Sequence, residues 1–371
     1  MHPLWTPNRS AAGLLPVIVR RLVAATVLIA VSAPAARAQA PQQRFQQTHP
    51  AMGTVFTIDL YANNQTSAEQ AMNLGFEEID RIEALLSNYR PSSELMRISR
   101  EAANSPVTTD PETFQFLERS LYWSRQSDGA FDITVGPLLR AWGFFFHQGR
   151  VPSDTELAAL REKIGWRHVL LNAETRTVAF TPPQPMDLDP GSIGKGFAVD
   201  RVAALLREQG VTSALISAGG STLYAIGAPP GSAGWTVNVP DPRHLDSRQA
   251  GAIASTILLK DSSLSTGGCT EKFFIKDGHR YCHIFDPRTM RPVEGMLQTT
   301  VIDPSATDSD ALSTVVFVLS AEASKRLLTS RPDSKALIFS QRSSGPDCFA
   351  INWPGTPCDP LSSHSQKESY P

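Results

Sequence analysis

Met186-Asp187-Leu188-Asp189-Pro190-Gly191-Ser192-Ile193-Gly194-Lys195-Gly196-Phe197-Ala198-Val199-Asp200 concentrates more chemistry than any other stretch of this chain. It follows a proline-rich break at Pro182, Pro183 and Pro185. The pattern reads as a strand, a glycine-rich turn and an amphipathic helix from Phe197 to Gln209 that Gly210 stops. Backbone N–H groups at such a turn, with Lys195 beside them, suit an anion such as a phosphate. Asp189, a few residues earlier, suits a metal or a hydroxyl. An ordinary tight connection between two elements is the competing explanation.

Working outward, Met52 to Tyr61 alternates as a strand, and Ser67 to Leu86 places Ala71, Leu74, Ile82 and Leu85 at helical spacing. Ser93 to Ile98 reads as a short turn or helix. Asp110, with Pro111 behind it, opens a helix to Ser127, and Ser153 or Asp154 caps another reaching Ile164. Val169 to Leu171 and Thr177 to Phe180 form a hairpin. Downstream, strands are expected at Ala214–Ser217, Leu223–Ile226, Trp235–Val239, Ala252–Leu258, around Val301 and at Ala336–Phe339. A helix enters at Thr307 and runs to Leu319, and another spans Ala321 to Leu328. Strands and helices mix without strict βαβ alternation. That predicts an α+β fold, with mixed, mainly antiparallel sheets flanked by helices, rather than a doubly wound one.

The chain has 371 residues, 41% of them hydrophobic, and a net charge of -2. Residues 1–38 carry four arginines and no acid, leaving 30 basic and 36 acidic residues and a net of -6. No basic stripe or arginine-rich tail recommends nucleic acid as a partner. Arg20 and Arg21 precede the apolar run Leu22 to Val31 and the small-residue site Ala36-Arg37-Ala38, the layout of a secretory signal peptide. General secretion is favoured over twin-arginine export, and an uncleaved anchor is the alternative. Residues 39–48 are polar and read as a flexible linker, residues 49–340 as the folded domain, and residues 341–371 as an irregular tail.

Export implies an oxidising compartment, so the four cysteines are candidates for pairing. A Cys348–Cys358 disulfide would staple the tail. Cys269 and Cys282 flank a hairpin turning at Asp277-Gly278. Symmetric pairing sets Cys282 opposite Phe273 and Cys269 opposite Asp286, which argues against a bridge between them.

Several stretches bear chemistry. Asp128-Gly129-Ala130-Phe131-Asp132-Ile133-Thr134 mixes small, acidic and aromatic residues. Gly191 to Lys195 is not a phosphate-binding Walker loop, since Asp189 stands where Gly is needed and Gly196 where Ser or Thr is needed. Ser192-Ile193-Gly194-Lys195 fits the short S-x-x-K nucleophile pattern, but its partner motifs are absent. Asp310 and Thr314 fall four apart on one helical face, a pair of hard oxygen donors suited to Mg²⁺ or Ca²⁺. Helix capping by Asp308 or Asp310 is the simpler explanation of that cluster. His283, in a strand before Asp286-Pro287, is a base or ligand contact or a structural histidine.

Taken together these stretches resemble the ApbE family of FAD:protein FMN transferases. The resemblance runs from about Thr48 to Phe339 through an ordered set: Met52-Gly53-Thr54; Tyr89 with Ser93-Glu94-Leu95; Asp128 to Leu138; Asp189 to Asp200; Ala218-Gly219-Gly220; Ser265-Thr266-Gly267; His283 to Pro287; and Asp310 to Thr314. It implies an ApbE-like, T-fold-related architecture. It implies FAD contacts at Met52, Tyr89, Ala130, Phe131, Asp132, Asp189, Lys195, His283 and Ile284. It implies a magnesium site of the Ser192 carbonyl, Asp310 and Thr314. The implied reaction is attack by a Thr or Ser hydroxyl of an exported or membrane-bound flavoprotein on the FMN-side phosphate of FAD. AMP leaves, His283 acts as base and Lys195 as a fixed charge. With the signal peptide, this makes a periplasmic enzyme.

The chain departs from the family pattern at Ser217, Ser221, Pro190 and Gly267-Gly268-Cys269-Thr270. Those departures keep two other readings open: an FAD-binding protein without transfer, and an FAD pyrophosphatase in which water replaces the hydroxyl.

Overall fold

An eight-stranded, wholly antiparallel sheet organises the molecule. The computed structural model describes residues 42–358 except 147, 183, 245–250, 270–271 and 343–344; the signal-peptide motifs lie outside the described residues. Across the sheet the strands run Gln43–Ala51, Thr54–Ala62, Ala214–Ala218, Thr222–Ile226, Ser262–Gly268, Met296–Asp303, Lys335–Arg342 and Gly345–Ile351. The helices are α1 (Gln65–Leu86), α2 (Glu94–Glu101), α3 (Pro111–Gln126), α4 (Gly136–Ala141), α5 (Asp154–Leu160), α6 (Gly194–Glu208), α7 (Ala306–Val318) and α8 (Ala321–Thr329). This is the expected α+β class. Among the described residues no helix is long and apolar enough to cross a membrane.

Strand periodicity splits the sheet between two cores. Val301, Ala336 and Ile338 face the helical layer, where α1, α6 and α7 bury Ile79, Val199, Val202, Leu312 and Val316. Their neighbours Ile302, Leu337 and Phe339 face the other way, onto the hairpin Trp235–Pro240 and Ile253–Leu259 and onto Trp353. Helix α7 is buried almost all round, between the sheet and the other helices. Capping follows the sequence at α3, where Asp110 accepts from Glu112 N, and at α5, where Ser153 and Glu156 form a capping box. The α5 helix is shorter than expected, since its last turn tightens to a 3-10 helix at Arg161–Lys163.

Two boundary expectations are corrected. The supposed linker at 39–48 contains most of an edge strand, Gln43–Ala51, paired along its length with Thr54–Ala62. Its polar residues concealed it: Arg44 is held by Asp59 (Nε to Oδ1 2.9 Å), and His49 stacks on Phe76 at 5.1 Å. The supposed irregular tail begins with the other edge strand, Gly345–Ile351, and Trp353 is buried beyond it.

The cysteine expectation is half corrected. Cys348–Cys358 forms, and so does Cys269–Cys282, with Cα atoms 5.3 Å apart. Phe273 does face Cys282. The error lay in extending that ladder to Cys269. The hairpin pairs only Phe273–Lys276 with His279–Cys282, and Cys269 directly follows a strand of the main sheet. It is therefore not bound by the hairpin's register.

Candidate active site

The opening stretch begins differently from expectation. Residues 186–190 form no strand, and α6 starts at Gly194, so Lys195 lies in the helix's first turn. The extended backbone bonds to a side chain of α2, to the loop at Ile133 and to the start of α4 instead of to a sheet neighbour. Leu188 N donates to Ser99 Oγ (3.2 Å), Asp189 N to the Ile133 carbonyl (2.7 Å), and Gly136 N to the Asp187 carbonyl (3.2 Å). That ties the 128–136 segment to the turn.

The last residue of the stretch fixes its relation to α7. Asp200 accepts four hydrogen bonds at the N-terminus of α7: from Ser305 Oγ (2.7 Å), Ala306 N (2.7 Å), Thr307 N (2.8 Å) and Thr307 Oγ1 (2.7 Å). A carboxylate there also meets the positive end of the helix dipole. The two helices touch closely at Gly196, where a Cβ would fall 2.1 Å from the Ala306 carbonyl oxygen and 2.7 Å from Asp310 Cβ. Only glycine permits that approach.

The close approach redirects a hydrogen bond. Gly196 N–H donates to Asp310 Oδ2 at 2.9 Å rather than to the Ser192 carbonyl four residues back. No backbone N–H among the described residues takes the Ser192 carbonyl. Asp310 is 6% exposed, and its other oxygen accepts from Thr222 Oγ1 at 3.1 Å. Burial raises its pKa, against the pull of the Lys195 charge. Both donors to Asp310 are neutral, and among the described residues no basic group pairs with it. Thr314, half-buried, follows one turn later on α7. A carbonyl with no donor, a carboxylate with no cation and a hydroxyl are the oxygen donors a hard divalent ion takes, so these residues fit Mg²⁺. Neither Asp308 nor Asp310 caps α7: Ser305 does, and Asp308 instead binds Arg119 and Trp123 Nε1 (2.9 Å).

Lys195 donates to Ser221 Oγ, and among the described residues it pairs with no carboxylate. Ser221 ends the Ala218–Ser221 turn, which is pressed against the first hairpin: Gly219, at φ 61°, donates to the Val55 carbonyl (3.0 Å), and a Cβ on it would meet Thr54 Oγ1 at 2.1 Å. Met52 sits in the two-residue turn of that hairpin, and its Cε would lie 3.6 Å from a Cβ on Gly194. The departures at Ser217 and Ser221 are thus accommodated. Ser217 Oγ accepts from Gly220 N (3.2 Å), and Ser221 Oγ serves Lys195.

Asp189 is buried between Asn88 Nδ2 (2.5 Å) and Gly191 N (2.8 Å). Burial, with the nearby charge of Asp187, pushes its pKa up to about 6. Next to Asn88, Tyr89 is 64% exposed and stacks on Phe145 at 4.5 Å, and the Arg140 guanidinium lies 3.7 Å from the Phe145 ring centre. Arg140 is itself held by Asp187 (2.5 Å). Tyr89 therefore offers a flat aromatic surface next to Asp189.

The 130–132 segment is more inward than the rest. Ala130 and Phe131 are buried, the latter within the main core. Asp132 accepts from Thr134 N (2.9 Å), Thr134 Oγ1 (2.7 Å) and Trp166 N (2.8 Å). These side chains brace the loop that bonds to Asp189 and Asp187.

His283 is half-buried against Phe144. Its backbone N donates to the Lys272 carbonyl (3.2 Å), and its ring Nδ1 lies 3.0 Å from the same oxygen. A carbonyl only accepts, so Nδ1 carries the proton and Nε2 holds the lone pair. Burial, then the charges of Lys272 and Lys195, lower its pKa to about 4. The imidazole is neutral at physiological pH. Ile284 is buried with Cys269, Cys282 and Phe317.

The fold therefore draws Met52, Asp189, Ser192, Lys195 and Asp310 around the start of α6, and the Lys195 charge reaches both Asp310 and His283. Asn88, Thr222, Ser221 and the Asp200 clamp escaped assignment from sequence. Asn88 adjoins Tyr89 and Asp200 closes the glycine-rich stretch, so their positions were visible though their partners were not. A recess lined by Pro137, Arg140, Met186 and Asp187 borders the cluster, whereas a larger one at Tyr122, Asp303 and Arg331 is built from other residues.

Comparison with known proteins points to one family. The model of the ApbE family matches residues 52–339. The chain is 32% identical over 291 residues to an FAD:protein FMN transferase of Klebsiella pneumoniae (strain 342), covering 78% of this chain and 87% of that protein. It is 30% identical over 311 residues to an FAD:protein FMN transferase of Treponema pallidum (strain Nichols), covering 80% and 84%. Among solved structures it is similar to the ApbE protein of Thermotoga maritima (TM-score 0.74, 28% identity, 83% of this chain and 97% of that one). It is also similar to the flavin transferase ApbE of Vibrio cholerae (TM-score 0.73, 26% identity, 84% and 98%).

Proposed function

The chain belongs to the ApbE family, and from that membership we infer that it is an FAD:protein FMN transferase. We propose further that it depends on Mg²⁺, that its acceptor is a Thr or Ser hydroxyl of an exported or membrane-bound flavoprotein, and that it works in the periplasm after export. The observation that carries this reading is the redirected Gly196 N–H. It leaves the Ser192 carbonyl without a backbone donor, beside an Asp310 carboxylate that holds only neutral donors and beside Lys195.

The Ser192 carbonyl, Asp310 and Thr314 would hold the ion, which when bound offsets negative charge on the pyrophosphate of FAD. Lys195 supplies a second positive charge at the N-terminus of α6, held in place by Ser221. Tyr89 supplies a stacking face for a flavin or adenine ring, and Asp189 a buried acceptor beside it. His283 Nε2 takes the proton of the acceptor hydroxyl. The freed oxygen bonds to the FMN-side phosphorus, the bridging P–O bond breaks, and AMP leaves with the electron pair. A pKa near 4 weakens His283 as a base but guarantees that its lone pair is free at neutral pH.

Treating the protein with a chelator tests the metal, and replacing the acceptor Thr by Ala in a substrate peptide tests the hydroxyl. Loss of transfer in both cases, with recovery on adding Mg²⁺ in the first, supports the proposal. Transfer that persists through either treatment refutes that part of it.

A further inference from the structure

We propose that the Cys269–Cys282 disulfide is a positioning device for His283: it closes the ring of chain that carries the Lys272 carbonyl, and that carbonyl holds the imidazole in its Nδ1–H form. The inference rests on the reading of His283 as the base.

The two cysteines are 13 positions apart, and both are buried with Ile284 and with Phe317 of α7. Cys269 is anchored to the main sheet: it follows Ser262–Gly268 directly, and its N–H donates to the Leu297 carbonyl (3.3 Å). Cys282 is the residue before His283. Both hydrogen bonds of His283, from its backbone and from its ring, go to Lys272, which lies inside the closed ring. The disulfide thus joins the site of the base to the sheet at one end and limits the drift of its hydrogen-bond partner at the other.

Without the bridge, the ring reduces to a two-stranded hairpin attached by its ends, a unit of marginal stability by itself. Aromatic contacts persist: Phe274 lies 5.3 Å from Phe144, and Tyr281 lies 5.5 Å from Trp142. They keep the hairpin docked, so the protein folds, but none of them fixes the Lys272 carbonyl against the imidazole. A misplacement of about 1 Å costs on the order of 100-fold in rate, and a positioned base is worth about 100-fold or more. The second disulfide, Cys348–Cys358, staples an edge strand and serves as the control.

The test uses the full mature chain with Cys269→Ser/Cys282→Ser, the control Cys348→Ser/Cys358→Ser, and His283→Ala alone and combined with the first pair. Expected for Cys269→Ser/Cys282→Ser are a fall in kcat of about tenfold or more, an FAD Kd within about twofold of wild type, and loss of the single Nδ1–H state in ¹⁵N spectra of the imidazole. Added to His283→Ala, the serine pair causes no further loss. Reducing the control variant with a dithiol, which converts the remaining disulfide to two thiols as the dithiol is oxidised, gives the same result without a change in the 269–282 sequence. Wild-type kcat in the serine pair, unchanged imidazole signals, or a loss that multiplies with that of His283→Ala overturns the proposal. Wild-type kcat in His283→Ala overturns the assignment of the base instead, and the imidazole spectrum then decides the positioning claim by itself.

Discussion

Asp310→Asn separates the metal-binding role of this carboxylate from its structural one. Asparagine keeps the shape and has a partner for each end: its carbonyl oxygen accepts from Gly196 N–H, and its amide donates to Thr222 Oγ1, which accepts as readily as it donates. The substitution removes a charge that burial disfavours, as the raised pKa of Asp310 records. Removing it relieves that desolvation cost, less the lost attraction of Lys195. The metal-free variant should therefore melt at or above the wild-type temperature. Mg²⁺ should reverse the order. Ion at 100 times its Kd stabilises the wild type by about 2.7 kcal/mol, a rise in Tm of about 4 °C for a chain of this size. The variant should gain little. Thermal unfolding with and without Mg²⁺ reads both effects, and FMN transfer to a peptide should be lost. An equal Mg²⁺-induced rise in both proteins would refute the ligand assignment. A large loss of stability in the metal-free variant would show that Asp310 is a structural hydrogen-bond hub instead.

Other substitutions probe the neighbouring parts. Asp189 has a folded pKa of about 6, above the ordinary 3.8, so the folded state holds its proton more tightly. Its contribution to stability is therefore fully present below pH 3.8 and is lost as the pH rises through about 6, by about 3 kcal/mol; denaturant titrations at several pH values should find that contribution missing in Asp189→Asn. Ser192→Ala should leave transfer unchanged and stability within about 0.5 kcal/mol, because only the backbone carbonyl is assigned a role; a large loss of transfer would revive the hydroxyl as nucleophile. Asp200→Ala strips four hydrogen bonds from the start of α7 and should cost about 3 kcal/mol in a denaturant titration. It should also weaken Mg²⁺-dependent transfer, because the clamp sets Asp310 against Gly196.

What was legible in the sequence was local. Helix α3 is announced by Asp110-Pro111 and α1 by its apolar spacing, and both form where those signals fall. The edge strand Gln43–Ala51 was missed because two of its four inward positions, Gln47 and His49, are polar, and the groups that hold Arg44 and His49 lie across the chain at Asp59 and Phe76. The Cys269–Cys282 bridge was missed for a related reason: hairpin symmetry stops at Phe273, and whether a strand continues past its last pair is a tertiary matter. At the site, residue types pointed to Asp310, Thr314 and Lys195. What sequence could not contain is the Gly196 contact that turns an N–H from Ser192 to Asp310, since two helices more than 100 residues apart must first be packed.

The most direct test is a mass balance. Purified protein is incubated with FAD, Mg²⁺ and a Thr-bearing acceptor peptide, and both AMP and flavin-bearing peptide are quantified. The expected result is one AMP released for each peptide that gains one FMN. AMP and free FMN without labelled peptide, or FAD bound with no AMP at all, would contradict transfer as the function of this chain.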